Sequence, residues 1–139
     1  MRLFLDTSVL LSACGSEKGA SRYICTHAET HGWKLLSSTY CREEMRRNLP
    51  KIPGSEVVWA GEIASQIEIV SDSFVLDKAL VFPKAKDRPV VITALAAGSA
   101  VLLTLDRMDF HRVLGSEIYG MAVRTPADFM IEMRKKGEV

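Results

Sequence analysis

The chain has 139 residues, 47% hydrophobic and 25% charged, with 18 Lys and Arg against 17 Asp and Glu for a formal net charge of +1. This length suits one domain over residues 1–139, the hydrophobic share excludes a disordered chain, and the near-neutral balance leaves any nucleic-acid partner to local basic patches. No apolar run is long enough to span a bilayer, the start lacks a signal-peptide pattern, and Cys14, Cys25 and Cys41 are an odd number at irregular spacing, so a cytoplasmic protein with free thiols and no membrane association is expected.

Arg2 to Leu5 reads as a short apolar strand, and Asp6 is its first polar residue. A first strand ending in Asp6-Thr7-Ser8 predicts a central strand with functional groups at its C-terminal tip. Val9, Leu10 and Ala13 continue as a short helix. Gly15 and Gly19 bracket a polar loop, and Ser21 to His31 has the pattern of a second helix, apolar at Ile24 and Ala28. Trp33 to Leu36 reads as strand two. Ser37, Ser38 and Thr39 all suit the cap of the next helix, Tyr40 to Leu49, which carries Glu43 and Glu44 and stops at Pro50. Pro53, Gly54 and Ser55 open a helix to about Ser65, and Gln66 to Val70 alternates as a short edge strand. Val75, Leu76, Ala79 and Leu80 have helical spacing within the ambiguous stretch from Ser71 to Phe82.

The stretch from Pro83 to Phe110 reads as a helix followed by a buried strand. Val91, Ala94, Leu95 and Ala97 recur at helical spacing, Gly98 is a C-terminal stop, and Ala100 to Leu103 is continuously apolar, as in a strand covered on both faces. Asp87 stands just before this helix, with Pro89 in its first turn, and Asp106 stands just past the strand. If the helix packs back along the strand, both acids reach the same sheet edge, where open α/β sheets place their ligands. Met108 to Leu114 reads as a helical turn or two, Tyr119 to Arg124 as a last strand, and Pro126 opens a terminal helix ending in Arg134, Lys135 and Lys136. Alternating strands and helices predict an α/β fold with a mainly parallel sheet.

Four acids stand out by position: Asp6 ends strand one, Glu44 lies on the helix after strand two, Asp87 precedes a helix and Asp106 follows a strand. For each alone, a solvated or capping acid is the default, and Asp87 suits the positive end of a helix dipole. Together they form a cluster whose members repel one another unless a cation neutralises them. Mg²⁺ and Mn²⁺ prefer oxygen ligands, and carboxylate-bound Mg²⁺ suits phosphoryl chemistry.

The order of these features resembles the PIN-domain family of nucleases. The matching segments are Leu5-Asp6-Thr7-Ser8-Val9-Leu10, then Ser38 through Glu44-Met45 to Leu49, then Asp87-Arg88-Pro89 with its helix. Leu103-Thr104-Leu105-Asp106 with Asp109-Phe110 follows, and Thr125-Pro126-Ala127-Asp128-Phe129 closes the chain. The resemblance implies a three-layer α/β/α fold with a central sheet of about five mainly parallel strands, and Mg²⁺- or Mn²⁺-dependent cleavage of RNA. It also brings in toxins of the VapC type, whose partner is a small antitoxin protein. Two positions depart from the family pattern: Ser8 stands where Asn is frequent, and Glu43 sits beside Glu44, so that one of the two faces the cluster; Glu44 fits the register better.

On this reading Asp6, Asp87 and Asp106 hold the metal, Asp106 directly or through water, and Glu44 binds a second ion or orients the attacking water. Thr104, Ser8 and Asp109 are candidates to support them, although Thr104 can be an ordinary strand residue and Asp109 the cap of a short helix. Arg42, Arg46, Arg47 and Lys51 share the helix of Glu44, and Lys84, Lys86 and Arg88 surround Asp87. As RNA contacts, chiefly Arg46, Arg47, Lys86 and Arg88, they sit where phosphate must arrive; as solvated faces they need no function. Cys25, His27 and His31 have a brief metal-like spacing without a fourth ligand on the same element, and His111 is an exposed helix histidine or a substrate contact. Two other readings compete with a nuclease: a non-catalytic RNA- or protein-binding module of the same fold, and a metal-dependent phosphatase with Asp6 as nucleophile. The second generally needs another Asp two residues on, and position 8 is Ser. Pairing into a homodimer is expected from the resemblance, and the helical face of Val57, Val58, Trp59 and Ile63 is read either as its interface or as plain core.

Overall fold

The computed structural model describes residues 1–73, 87–106 and 117–139, without the side chains of Asp87 and Arg88. The helical readings of 71–82 and of Met108 to Leu114 fall largely or wholly outside these residues. The strands are β1 (Arg2–Leu5), β2 (Lys34–Ser38), β3 (Ile67–Val70), β4 (Val101–Leu103), β5 (Glu117–Ile118) and β6 (Met121–Arg124). The helices are α1 (Thr7–Gly15), α2 (Ala20–His31), α3 (Thr39–Asn48), α4 (Ser55–Val58), α5 (Asp87–Ala96) and α6 (Pro126–Lys135).

The strands form a single sheet in the order β3-β2-β1-β4-β6-β5. Every pairing is parallel except β5 with β6. The expected three-layer, mainly parallel architecture is therefore the observed one, with β1 at its centre. Leu3, Phe4 and Leu5 on β1 and Leu102 and Leu103 on β4 have no exposed surface. That is the burial on both faces that their unbroken apolar runs anticipate. Among the described residues, no helix is long and apolar enough to cross a membrane.

Three local readings need correction. The helix expected from Ser55 to Ser65 is α4 for one turn only. It widens into a π-helical turn over Trp59–Ile63 and tightens into a 3₁₀ turn over Ala64–Gln66. The apolar residues on it do not form a free interface either. Ile63 is wholly buried, Trp59 is 8% exposed, Val58 packs on the core, and Val57 is 77% exposed. Helical spacing fixes which residues share a face, not what covers it, and here α1 and α2 cover most of this one. Finally, the strand expected from Tyr119 begins at Met121. Tyr119 and Gly120 take φ values of 47° and 85°, the pair of positive angles that a tight two-residue hairpin turn requires, and β5 is the strand on its other side.

Ser37 and Ser38 extend β2 beyond the predicted Leu36, and only Ser38 caps α3, its hydroxyl accepting from the Cys41 N–H at 3.1 Å. Ser37 instead donates to the Leu5 carbonyl at 2.7 Å, tying β2 to β1.

Candidate active site

Sheet register explains why residues nearly a hundred positions apart meet. Leu5 is paired with Leu103, and the Asp6 N–H continues the ladder to the Leu103 carbonyl at 3.0 Å. The next residues, Asp6 and Thr104, therefore leave adjacent strands side by side at the C-terminal sheet edge. Asp6 is also the N-cap of α1: its Oδ1 accepts from the Thr7 N–H at 2.8 Å. Thr104, fully buried, donates its hydroxyl to Asp6 Oδ2 at 2.9 Å and accepts the Asp106 N–H at 3.0 Å. One hydroxyl thus orients the first carboxylate and fixes the backbone of the second. Ser8 makes a parallel bridge: its Oγ accepts the Leu105 N–H at 3.1 Å and lies 3.5 Å from Asp6 Oδ2. The Ser at position 8 thereby does the work of holding the β4 exit against α1.

β2, the other neighbour of β1, delivers α3 to the same edge. Glu44 lies on the side of α3 that faces α1, and its Oε2 accepts the Tyr40 hydroxyl at 3.2 Å. Glu43 points away, is exposed, and pairs with Arg42 and Arg46 at 3.3 and 3.5 Å. The choice between the two adjacent glutamates is thus made by helix phase. Asp6, Glu44 and Asp106 line one open cleft of about 280 Å³ together with Thr7, Ser8, Leu11, Tyr40, Asn48 and Val90.

Val90 brings α5 into the cleft wall. Gly98, with φ 71°, ends that helix, and the Ser99 N–H returns to the Ala94 carbonyl before the chain enters β4. The helix packs on β2, and its first residue, Asp87, lies three positions before Val90 on the same helix. The side chains of Asp87 and Arg88, and Lys86, Asp109, Lys84 and His111 altogether, lie outside the described residues. Among the described residues, no three His, Cys, Asp or Glu side chains gather closely enough to hold a metal ion between them. The full convergence of acids expected from the sequence is thus not seen in Asp6, Glu44 and Asp106 by themselves; like charges favour separation across the cleft.

Beside Asp6 lies Cys41, wholly buried, its Sγ 3.9 Å from Asp6 Oδ1. Burial first, and then the Asp6 charge, push this thiol up to about 11, so it is neutral near pH 7. Tyr40 is also raised, chiefly by burial and then by the neighbouring Glu44, with Arg47 partly offsetting the shift. The Arg47 charge thus acts on Tyr40 from the same helix, whereas Arg46 is tied to Glu43 on the outer side. Cys25, His27 and His31 make no metal site. Cys25 is buried in the core, while the Tyr23 ring stacks on His27 and its hydroxyl lies 3.1 Å from His31 Nε2.

Sequence reasoning singled out Asp6, Glu44, Asp106, Thr104 and Ser8, but it missed Tyr40, Cys41 and Asn48. The signal for Tyr40 was present, since a tyrosine four residues before a glutamate on a helix lies on the same face. Asn48 follows the same rule and donates its amide to the Glu44 backbone carbonyl at 2.8 Å.

Comparison with known proteins agrees with this architecture. Among curated proteins no sequence matches this one. Among solved structures, the chain is similar to one in the crystal structure of VapBC2 from Rickettsia felis bound to a DNA fragment from their promoter. The TM-score is 0.61 at 15% identity, covering 90% of this chain and 98% of that one. At this identity the match speaks for the fold alone. The family model of the PIN domain matches residues 2–108, well over half of the sequence. The chain belongs to the PIN-domain family.

Proposed function

We propose that the protein is a Mg²⁺- or Mn²⁺-dependent endoribonuclease that hydrolyses RNA phosphodiester bonds at this cleft. The observation that carries the reading is the placement of Asp6, Glu44 and Asp106 along one cleft, with Thr104 fixing both aspartates. The donors suit a hard cation, because the charged groups lining the cleft are carboxylates. Asp6, Asp87 and Asp106 would hold the ion. When bound, it supplies charge to the phosphate and acidifies water as the nucleophile.

The chain's own residues do the rest. Thr104 and Ser8 keep Asp6 turned to the cleft. Glu44 would bind a second ion or orient the attacking water. Arg47, Lys86 and Arg88 would meet the phosphate backbone, while Arg46, paired with Glu43 on the outer side, would reach only RNA that extends beyond the cleft. Hydrolysis adds water to phosphorus, breaks one P–O bond and passes a proton to the departing oxygen. A small antitoxin protein is the proposed partner, a reading supported by the fold shared with VapBC2. Cytoplasmic residence follows from the same reading.

The test is cleavage of a mixed single-stranded RNA pool with Mn²⁺ and with chelator, beside a DNA pool and a phosphomonoester. Internal RNA cuts that need Mn²⁺ support the proposal. Hydrolysis of the phosphomonoester alone points to a phosphatase, and no turnover with retained RNA binding points to a non-catalytic module.

A further inference from the structure

The cleft contains a hydrogen-bonded side chain to which the proposed chemistry gives no role. Tyr40 lines the cleft beside the acids and is fixed at both ends. Its backbone N–H donates to Asp72 Oδ1 at 3.1 Å, and its hydroxyl donates to Glu44 Oε2 at 3.2 Å. The segment that supplies Asp72 is itself anchored. Thr93 on α5 accepts the Ser73 N–H at 2.8 Å, and its hydroxyl lies 3.3 Å from the Ser73 carbonyl. Residues 71–73, just past β3, therefore tie the first turn of α3 to α5, the helix that begins at Asp87. A glutamate on a partly exposed helix face has three soft side-chain torsions, and without a donor it samples several rotamers. Asn48 holds only the Glu44 backbone carbonyl. Among the described residues the Tyr40 hydroxyl is the donor that fixes the carboxylate itself.

We infer that Tyr40 is a positioning residue: its hydroxyl, 3.2 Å from Oε2, holds the Glu44 carboxylate in one rotamer facing the cleft, and Glu44 needs that hydroxyl to act. The inference rests on the nuclease reading, and it separates from that reading in the test. Tyr40→Phe keeps the ring that walls the cleft and removes only the hydroxyl. The expected result is a kcat about 10- to 100-fold lower with KM for RNA within about twofold, the pattern of a lost supporting contact rather than a lost binding surface. A second readout involves no catalysis: melting temperatures of the metal-free wild type, Tyr40→Phe, Glu44→Ala and the double variant. Tyr40→Phe should lower the melting temperature by about 2–4 °C in the wild type and by less than about 1 °C where Glu44 is already absent.

Equal shifts in both backgrounds overturn the inference, because the two side chains then act independently. Coupled melting with an unchanged kcat overturns it too: the bond exists but does nothing for turnover. If the wild type cleaves no RNA under any condition, the nuclease reading fails, and the melting cycle alone decides whether Tyr40 holds Glu44.

Discussion

Replacing Thr104 with Val removes one hydroxyl from a fully buried site and keeps the side-chain volume. That hydroxyl serves two partners, donating to Asp6 Oδ2 at 2.9 Å and accepting the Asp106 N–H at 3.0 Å. A hydrogen bond to a charged group contributes about 1.5–3 kcal/mol, and the Asp6 share sits at the low end because the Thr7 N–H still serves Oδ1. The orphaned Asp106 N–H adds about 1 kcal/mol, since Asp106 is only half-buried and water reaches it. The expected loss is therefore about 2.5 kcal/mol in urea unfolding, or roughly 9 °C in Tm for a domain of this size. RNA cleavage should fall about 10- to 100-fold, because both aspartates lose their orientation. Thr104→Ser separates the effects. It loses one methyl, about 1 kcal/mol, and should keep cleavage within a few-fold of wild type. A Val variant within about 1 kcal/mol of wild type and equally active would refute the claim that this hydroxyl organises the site.

Three further outcomes follow from the geometry. Arg22, its side chain 12% exposed, donates to the carbonyls of Ala13 and Cys14 at the end of α1 and pairs with Glu62; Arg22→Met should cost about 2 kcal/mol in urea unfolding and leave kcat per folded molecule unchanged. Burial raises Cys25 from 9.0 to about 12, so between pH 9 and pH 11 the unfolded chain releases a proton that the folded one keeps. Stability should fall with rising pH in that window, by about 2 kcal/mol for this thiol, and urea midpoints of Cys25→Ala should fall less steeply. Mn²⁺ bound only by the native state should add about 2.7 kcal/mol at a hundred times its dissociation constant; thermal melting at fixed ionic strength, with Mn²⁺ and with chelator, measures it.

The central part of this fold was legible because its strands are covered on both faces. The run Leu3-Phe4-Leu5 can only be a buried strand next to an abrupt Asp6, and the same logic placed Thr104 and Asp106 past β4. Register did the rest, and register is a long-range property that no single segment states. Tyr119 hid a strand: a bulky aromatic at φ 47° contradicts the local preference for glycine or asparagine, so the turn read as continuing strand. Trp59 and Ile63 were ambiguous for another reason, since an apolar helical face is the same pattern whether its own core or a second copy covers it. In the site, the acids announced themselves by charge at strand ends. Tyr40 and Cys41 did not, because a tyrosine and a cysteine on an amphipathic helix are ordinary core residues until their hydrogen-bond partners are known.

The account stands most directly on Asp6. Asp6→Asn keeps the shape, an oxygen to accept from the Thr7 N–H and a residue equally suited to the N-cap, while removing one negative charge from the cleft. The measurement pairs RNA cleavage in Mn²⁺ with RNA binding in Ca²⁺, on wild type and variant. The account predicts cleavage reduced by about a thousandfold or more, with binding retained or tightened because a repelling charge is gone. Cleavage by Asp6→Asn at the wild-type rate would contradict it.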